Sequence, residues 1–271
     1  MSLRYFTPQP PLQSYIRSFS ILEEPQAVFN KRIIVPDSFP AVLINLGAPF
    51  IWEMDNGAKV ELPPVFFVRA QTRPLKLRAT GSCLAMGLNL MAWGSRFFVG
   101  EQVDLSSTPI VPLDGTWRDL ARLLASTLAA HGDHEALATL VQFVSDLTRR
   151  TLLDIAPVRS ALEMLYRSNG RYDMNEIAAQ CYLSPSQLER RSNYLTGLSP
   201  KTLARLIRFD AACAGLLRDS GGRLTDLAHE LGYVDQAHFI HEFKTFADFT
   251  PREAKAYVRA LAADAEFLQF S

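Results

Sequence analysis

Two stretches of the chain decide its fold: Ile177-Ala178-Ala179-Gln180-Cys181-Tyr182-Leu183-Ser184-Pro185 and Leu227-Ala228-His229-Glu230-Leu231-Gly232-Tyr233-Val234-Asp235. Ile177-Ala178-x-x-Cys181 recurs as Leu227-Ala228-x-x-Leu231, and Gly197-Leu198-Ser199-Pro200 recurs as Asp248-Phe249-Thr250-Pro251. The front halves of the two copies lie 50 residues apart and the back halves 51, so the second copy carries one inserted residue in its turn. A repeat of this period marks one supersecondary unit used twice.

Each copy has the parts of a helix-turn-helix. Ala178 and Ala228 are small residues in the first helix, where a second helix must cross closely above. Gly232 supplies a permissive turn in the second copy. Tyr182-Leu183-Ser184-Pro185 turns the first, with Ser184 as N-cap and Pro185 at the first helical position. The second helices are expected over 185–195 and 235–246. Leu188 and Tyr194 point inward in one, and Phe239, Phe243 and Phe246 in the other.

The remaining faces of these helices carry Ser186, Gln187, Glu189 and Arg190, and Gln236, His238 and His241. Such side chains donate or accept hydrogen bonds at base edges or phosphates of double-stranded DNA. Ala237 and Lys244 belong to the same candidate surface. From Ser199-Pro200 to Arg218 a long helix, with Leu203, Leu206, Ile207 and Leu217 inward, joins the two units. Recognition helices held about 34 Å apart enter successive major-groove turns on one DNA face. Residues 189–208 hold five basic residues (Arg190, Arg191, Lys201, Arg205, Arg208) against Glu189. Lys201 and Arg205 are candidate phosphate contacts; a solvated helix face is the other reading of that cluster.

These motifs resemble the AraC/XylS family of transcription regulators. The resemblance runs from about Val158 to Ala260, on Leu183-Ser184-Pro185, Leu188-x-Arg190-Arg191, Gly197-Leu198-Ser199-Pro200-Lys201 and Arg205-Leu206-x-Arg208-Phe209. In the second unit it runs on Leu231-Gly232-Tyr233-x-Asp235-Gln236-x-His238-Phe239, Phe243-Lys244 and Pro251-Arg252. It implies a sequence-specific DNA-binding regulator controlled by a small-molecule effector. Ser192 stands where the family places a core Phe, which would loosen the first recognition helix. Ala237 replaces a usual Ser, Asp248 a usual Gly, and His241 a usual Arg or Lys. Asp tolerates left-handed backbone better than most residues.

Upstream the texture is β. Short apolar runs at 16–22, 32–35, 41–46 and 50–53 are broken by Pro, Gly, Asn and Asp, as in an all-β barrel or sandwich. Asp55-Asn56-Gly57 between 50–54 and 58–62 signals a hairpin. Further strands are expected at 65–69, 75–78 and 84–91, with prolines at their ends. Helical periodicity begins at Trp117, giving helices over 117–130 and 135–151 that either pack on the β domain or form a dimer interface. The chain therefore reads as an α+β multidomain protein. A barrel-like, cupin-like sensor domain spans 1–105 and a helical linker or dimerisation region 106–154. The DNA-binding domain spans 155–262, and a tail 263–271.

The N-terminal half resembles the sensor domains attached to many such regulators, on Pro36-Asp37, Leu43-Ile44-Asn45-Leu46-Gly47 and Gln71-Thr72-Arg73-Pro74. Arg69, Gln71 and Trp93 are candidate pocket-lining residues, or ordinary strand residues.

Composition limits the rivals. Lys+Arg and Asp+Glu both number 28, and residues 157–271 are also balanced at 14 and 14, so charge gives no nucleic-acid signal. Residues 1–100 contain no histidine, which excludes a His-ligated metal site there and removes the commonest general base. Cys83, Cys181 and Cys213 are scattered and odd in number, so they read as buried apolar residues rather than disulfides or metal ligands. An enzyme barrel or an alkyltransferase fused to a DNA-binding tail lacks its chemistry, and no cofactor or metal is expected. A helical protein-interaction module without DNA binding is the main alternative. RNA polymerase and a second copy of the chain are further candidate partners. No apolar run spans a membrane and the first residues lack a signal-peptide core, so a cytoplasmic, bacterial-type protein is expected.

Overall fold

The computed structural model describes residues 2–24, 32–150, 155–218 and 222–255. The N-terminal part holds ten strands: β1 Ser2–Phe6, β2 Ile16–Glu24, β3 Arg32–Ile34, β4 Ala41–Asn45, β5 Phe50–Glu53, β6 Lys59–Glu61, β7 Val65–Val68, β8 Leu75–Ala79, β9 Cys83–Leu90 and β10 Ile110–Pro112. The short helix α1 (Ser95–Val99) precedes β10, and α2 (Thr116–His131) and α3 (Asp133–Arg150) follow it. The rest is helical: α4 Ala156–Arg167, α5 Met174–Gln180, α6 Pro185–Thr196, α7 Pro200–Arg218, α8 Leu224–Glu230 and α9 Gln236–Ala247.

The strands form two antiparallel sheets, one of six in the order β1-β2-β9-β4-β7-β10 and one of four in the order β3-β8-β5-β6. The expected barrel-like domain is thus a β-rich pair of sheets that closes no ring. The Asp55-Asn56-Gly57 hairpin pairs Ile51 with Glu61 and Glu53 with Lys59. β7 explains the layering. All four residues of its Val65-Phe66-Phe67-Val68 run are buried. Phe66 and Val68 meet Phe50, Leu75 and Leu77 of the smaller sheet, while Val65 and Phe67 join the core beneath the helices. A strand covered on both faces needs an unbroken apolar run, and removing a ring such as Phe66 would cost about 3–5 kcal/mol.

α2 and α3 pack as an antiparallel pair that buries Trp117, Leu120 and Leu124 against Leu140 and Val144. Their apolar stripes are largely consumed within the chain, with Leu123 left 52% exposed. The last expected residue of the second helix, 151, lies outside the described residues, as do the tail 263–271 and the end of the helical domain beyond 255.

One core runs without interruption from the sheets into the helical domain. Across that boundary the Ser38 amide donates to Asp210 Oδ2 at 3.0 Å. The Tyr166 hydroxyl donates to the Ser38 carbonyl at 3.0 Å. Tyr166 also lies edge-on to Trp93 at 5.9 Å and tilted on Phe39 at 5.1 Å. The buried Arg96 guanidinium donates to the carbonyls of Gly100, Glu101 and Val103, and across the boundary to Tyr194 at 2.7 Å. Gly197 has φ of 76°, and a Cβ there would lie 2.3 Å from the Leu105 carbonyl oxygen, so only glycine fits this close approach.

Candidate nucleic-acid interface

In the first unit, α5 starts at Asp173, whose carboxylate accepts the amides of Asn175 and Glu176. Ala178 is fully buried, and a larger side chain there would push on the helix above at a cost of about 1–3 kcal/mol. The turn passes through Tyr182 to Ser184, which caps α6 reciprocally. Ser184 Oγ accepts the Gln187 amide at 3.2 Å, and Gln187 Oε1 accepts the Ser184 amide at 2.8 Å. Pro185 occupies the first helical position, where no amide donor is needed.

The second unit is built alike, with Ala228 fully buried and Asp235 capping α9 through the His238 amide at 2.7 Å. Phe239, Phe243 and Phe246 fill its core, and Phe209 of α7 lies 4.9 Å from Phe243 and 5.3 Å from Phe246. Asp248 takes the left-handed conformation expected of it, φ 65°. α7 buries Leu203, Leu206 and Ile207; Leu217 is half-buried and Leu216 takes its place inside.

Ser186, Gln187, Glu189 and Arg190 are all exposed on α6, as are Gln236, Ala237, His241 and Lys244 on α9. Part of this polarity is already engaged. Gln187 spends its carbonyl on the cap, and Gln236 accepts a hydrogen bond from Thr225 at 2.7 Å. His238 is half-buried, its ring edge-on to Tyr233 at 5.5 Å.

Lys201, Arg205 and His238 meet, with Arg208, Asp173 and Glu242, around an open cavity of 440 Å³ between α7 and the start of α9. Here the structure adds what the sequence reading missed. Arg205 makes a two-pronged ion pair with Glu242, at 2.8 and 2.7 Å. The hydrogen bonds from Arg205 hold the Glu242 carboxyl below its usual range and push the guanidinium up. Arg208 donates to the Gly170 carbonyl at 2.8 Å with its charged head 5.3 Å over the Tyr233 ring. Arg205 and Arg208 therefore brace the second unit against α7, and Lys201 is the exposed cation of this group.

Two expectations for the first unit change. Tyr194 does not face the core of its own unit: it is 39% exposed and lends its ring to Arg96, 4.5 Å away. Ser192 does not leave a loose helix. It is fully buried and its hydroxyl donates to the Leu198 carbonyl at 2.9 Å.

The three candidate ligand residues have their polar atoms on main-chain carbonyls. Arg69 donates to Thr108 and Ala70, Gln71 to Pro109, and Trp93 to Ser14. All three cysteines are buried, as expected.

A family model described as a helix-turn-helix domain matches residues 177–257, which spans both units. The HTH-type transcriptional activator RhaS of Klebsiella pneumoniae is 36% identical over 80 residues, 30% of this chain and 28% of RhaS. The C-terminal region is an AraC-type helix-turn-helix domain. The chain spans about a quarter of the length of that curated relative, so the match concerns the AraC-type domain and not the rest of RhaS. The two-domain fold, β-rich sheets followed by the AraC-type domain, is that of ToxT from Vibrio cholerae. The TM-score is 0.51 at 11% identity, covering 88% of this chain and 98% of ToxT. An unsaturated-fatty-acid-bound ToxT of the same species matches with a TM-score of 0.50 at 12% identity, over 88% of this chain and 94% of that one. Among the described residues no helix is long and apolar enough to cross a membrane.

Proposed function

We propose that the chain is a sequence-specific DNA-binding transcription regulator whose N-terminal domain, residues 1–105, responds to a small-molecule effector. In this reading residues 106–154 link it to a DNA-binding domain at 155–262. The observation that carries the proposal is the pair of capped helices, α6 and α9, with exposed polar faces on one rigid connecting helix. Arg190, Ser186 and Glu189 of α6 and Gln236, His238 and His241 of α9 would read base edges, and Lys201 and Lys244 would meet phosphates.

An effector is supported by ToxT, which shares the two-domain fold and has been solved with an unsaturated fatty acid bound. RNA polymerase and a second copy of the chain complete the proposed partners. The protein acts in the cytoplasm and performs no catalysis in this reading. The full chain should retard DNA from upstream of its own gene at least about tenfold more tightly than a scrambled duplex. Equal affinity for the two would overturn sequence-specific regulation.

A further inference from the structure

Of the large apolar side chains among the described residues, the two most exposed are Tyr182, at 97%, and Val234, at 79%. A single exposed apolar residue is ordinary. These two, however, occupy the same turn in the two copies of the repeat. Tyr182 stands two residues before the N-cap Ser184, and Val234 one residue before the N-cap Asp235. Each turn leads directly into its recognition helix, α6 or α9.

The backbone adds an independent sign. Tyr182 sits at φ 55°, in the left-handed region that side chains with a Cβ rarely adopt. The matching position in the second copy is Gly232, at φ 74°, where the conformation carries no steric penalty. A tyrosine is thus held where glycine would relax the chain. Strain of this kind gathers where a ligand is gripped.

We propose that Tyr182 and Val234 rest on the sugar–phosphate backbone of duplex DNA beside each recognition helix, a proposal that depends on the DNA-binding reading above. The Tyr182 ring packs on a deoxyribose and its hydroxyl donates to a phosphate oxygen. Val234, the residue inserted in the second turn, makes an apolar contact there without a hydrogen bond.

The test uses the full chain, a duplex from upstream of its own gene and a scrambled duplex of equal length. Tyr182→Gly and Val234→Ser should keep the wild-type Tm or raise it, yet each should weaken both duplexes alike, by roughly five- to thirty-fold. Tyr182→Phe should lose part of that affinity. The slope of log Kd against log salt should stay at the wild-type value, because no cation is removed. Wild-type affinity in Tyr182→Gly and Val234→Ser would overturn the proposal, as would a loss confined to one duplex or one that follows a fall in Tm. If the wild-type chain retards neither duplex, the DNA-binding reading itself fails. If it retards both and the variants do so equally, only the present proposal fails.

Discussion

The Asp210 carboxylate, midway along the helix that joins the two recognition units, accepts the Ser38 amide of the N-terminal domain at 3.0 Å. Asp37, next in sequence, accepts the Phe39 amide at 2.8 Å. Arg17 on β2, Tyr166 on α4 and Cys213 on α7 are the titratable groups around this pair. Burial pushes Asp37 up to about 6, against the Phe39 hydrogen bond and the Arg17 charge. Burial, and then the charge of Asp37, push Asp210 well above the carboxylate range.

A carboxyl group with a raised pKa in the closed junction binds its proton more tightly there than in the open chain. The junction is therefore most stable below about pH 4, the open-chain value, and weakens as pH rises through about 6, with Asp210 extending the loss upward. Urea unfolding of the wild type and Asp210→Asn at pH 5, 6.5 and 8 checks this. The asparagine keeps the acceptor for Ser38 without the charge, so the variant should gain on the wild type as pH rises. Parallel profiles would remove Asp210 from the linkage.

Arg205 and Glu242 hold α7 to α9. Arg205→Ala should cost about 1–3 kcal/mol of stability, because Glu242 is left half-buried and unpaired. Adding Glu242→Gln to Arg205→Ala should return part of that loss, and a double-mutant cycle by thermal unfolding gives the coupling directly. Additive losses would mean that the pair contributes little to the brace.

Arg190→Ala should cost on the order of 1–3 kcal/mol at one base pair of the bound site and leave other positions unchanged. Lys201→Ala should weaken all sequences alike and reduce the salt slope by about 1. Affinity measured across a set of singly substituted duplexes at two salt concentrations separates these outcomes.

Arg96 gives hydrogen bonds to four main-chain carbonyls, three in its own domain and one in α6. Arg96→Ala should destabilise the full chain by about 3–5 kcal/mol, since buried acceptors lose a charged donor. Tyr194→Leu removes only the ring beneath the guanidinium and should cost about 1 kcal/mol or less. Urea denaturation of both variants checks the ratio.

Most strands were legible because each is a short apolar run closed by a turn residue, as at Asp55-Asn56-Gly57. β1 escaped, since Ser2–Phe6 becomes a strand only by pairing with β2, Phe6 opposite Phe19 and Ser2 opposite Glu23. β10 is three residues of edge strand ending in Pro112, too short to carry an alternation. The repeat fixed both recognition helices to within a residue or two, because caps and buried phenylalanines are local signals. Arg205 could not be read correctly from its neighbours: its partner is 37 residues away on another helix. Tyr194 followed the inward periodicity, but the surface that receives it belongs to the other domain. The Tyr182 anomaly was visible once the copies were aligned, because tyrosine stands there against Gly232.

The contacts made by the N-terminal domain at Ser38, Trp93, Arg96 and Leu105 fall on α4, α6 and α7. α7 is a 19-residue helix, about 28 Å of rigid rod. A displacement at Asp210 is thus applied midway along this rod, next to Phe209, which packs on Phe243 and Phe246 of α9, while one at Tyr194 acts on α6 itself. In the proposed regulator, a signal arriving at the domain boundary would alter the phase between the two half-sites on DNA. Operators with one base pair added or removed between the half-sites would then answer differently to the same signal.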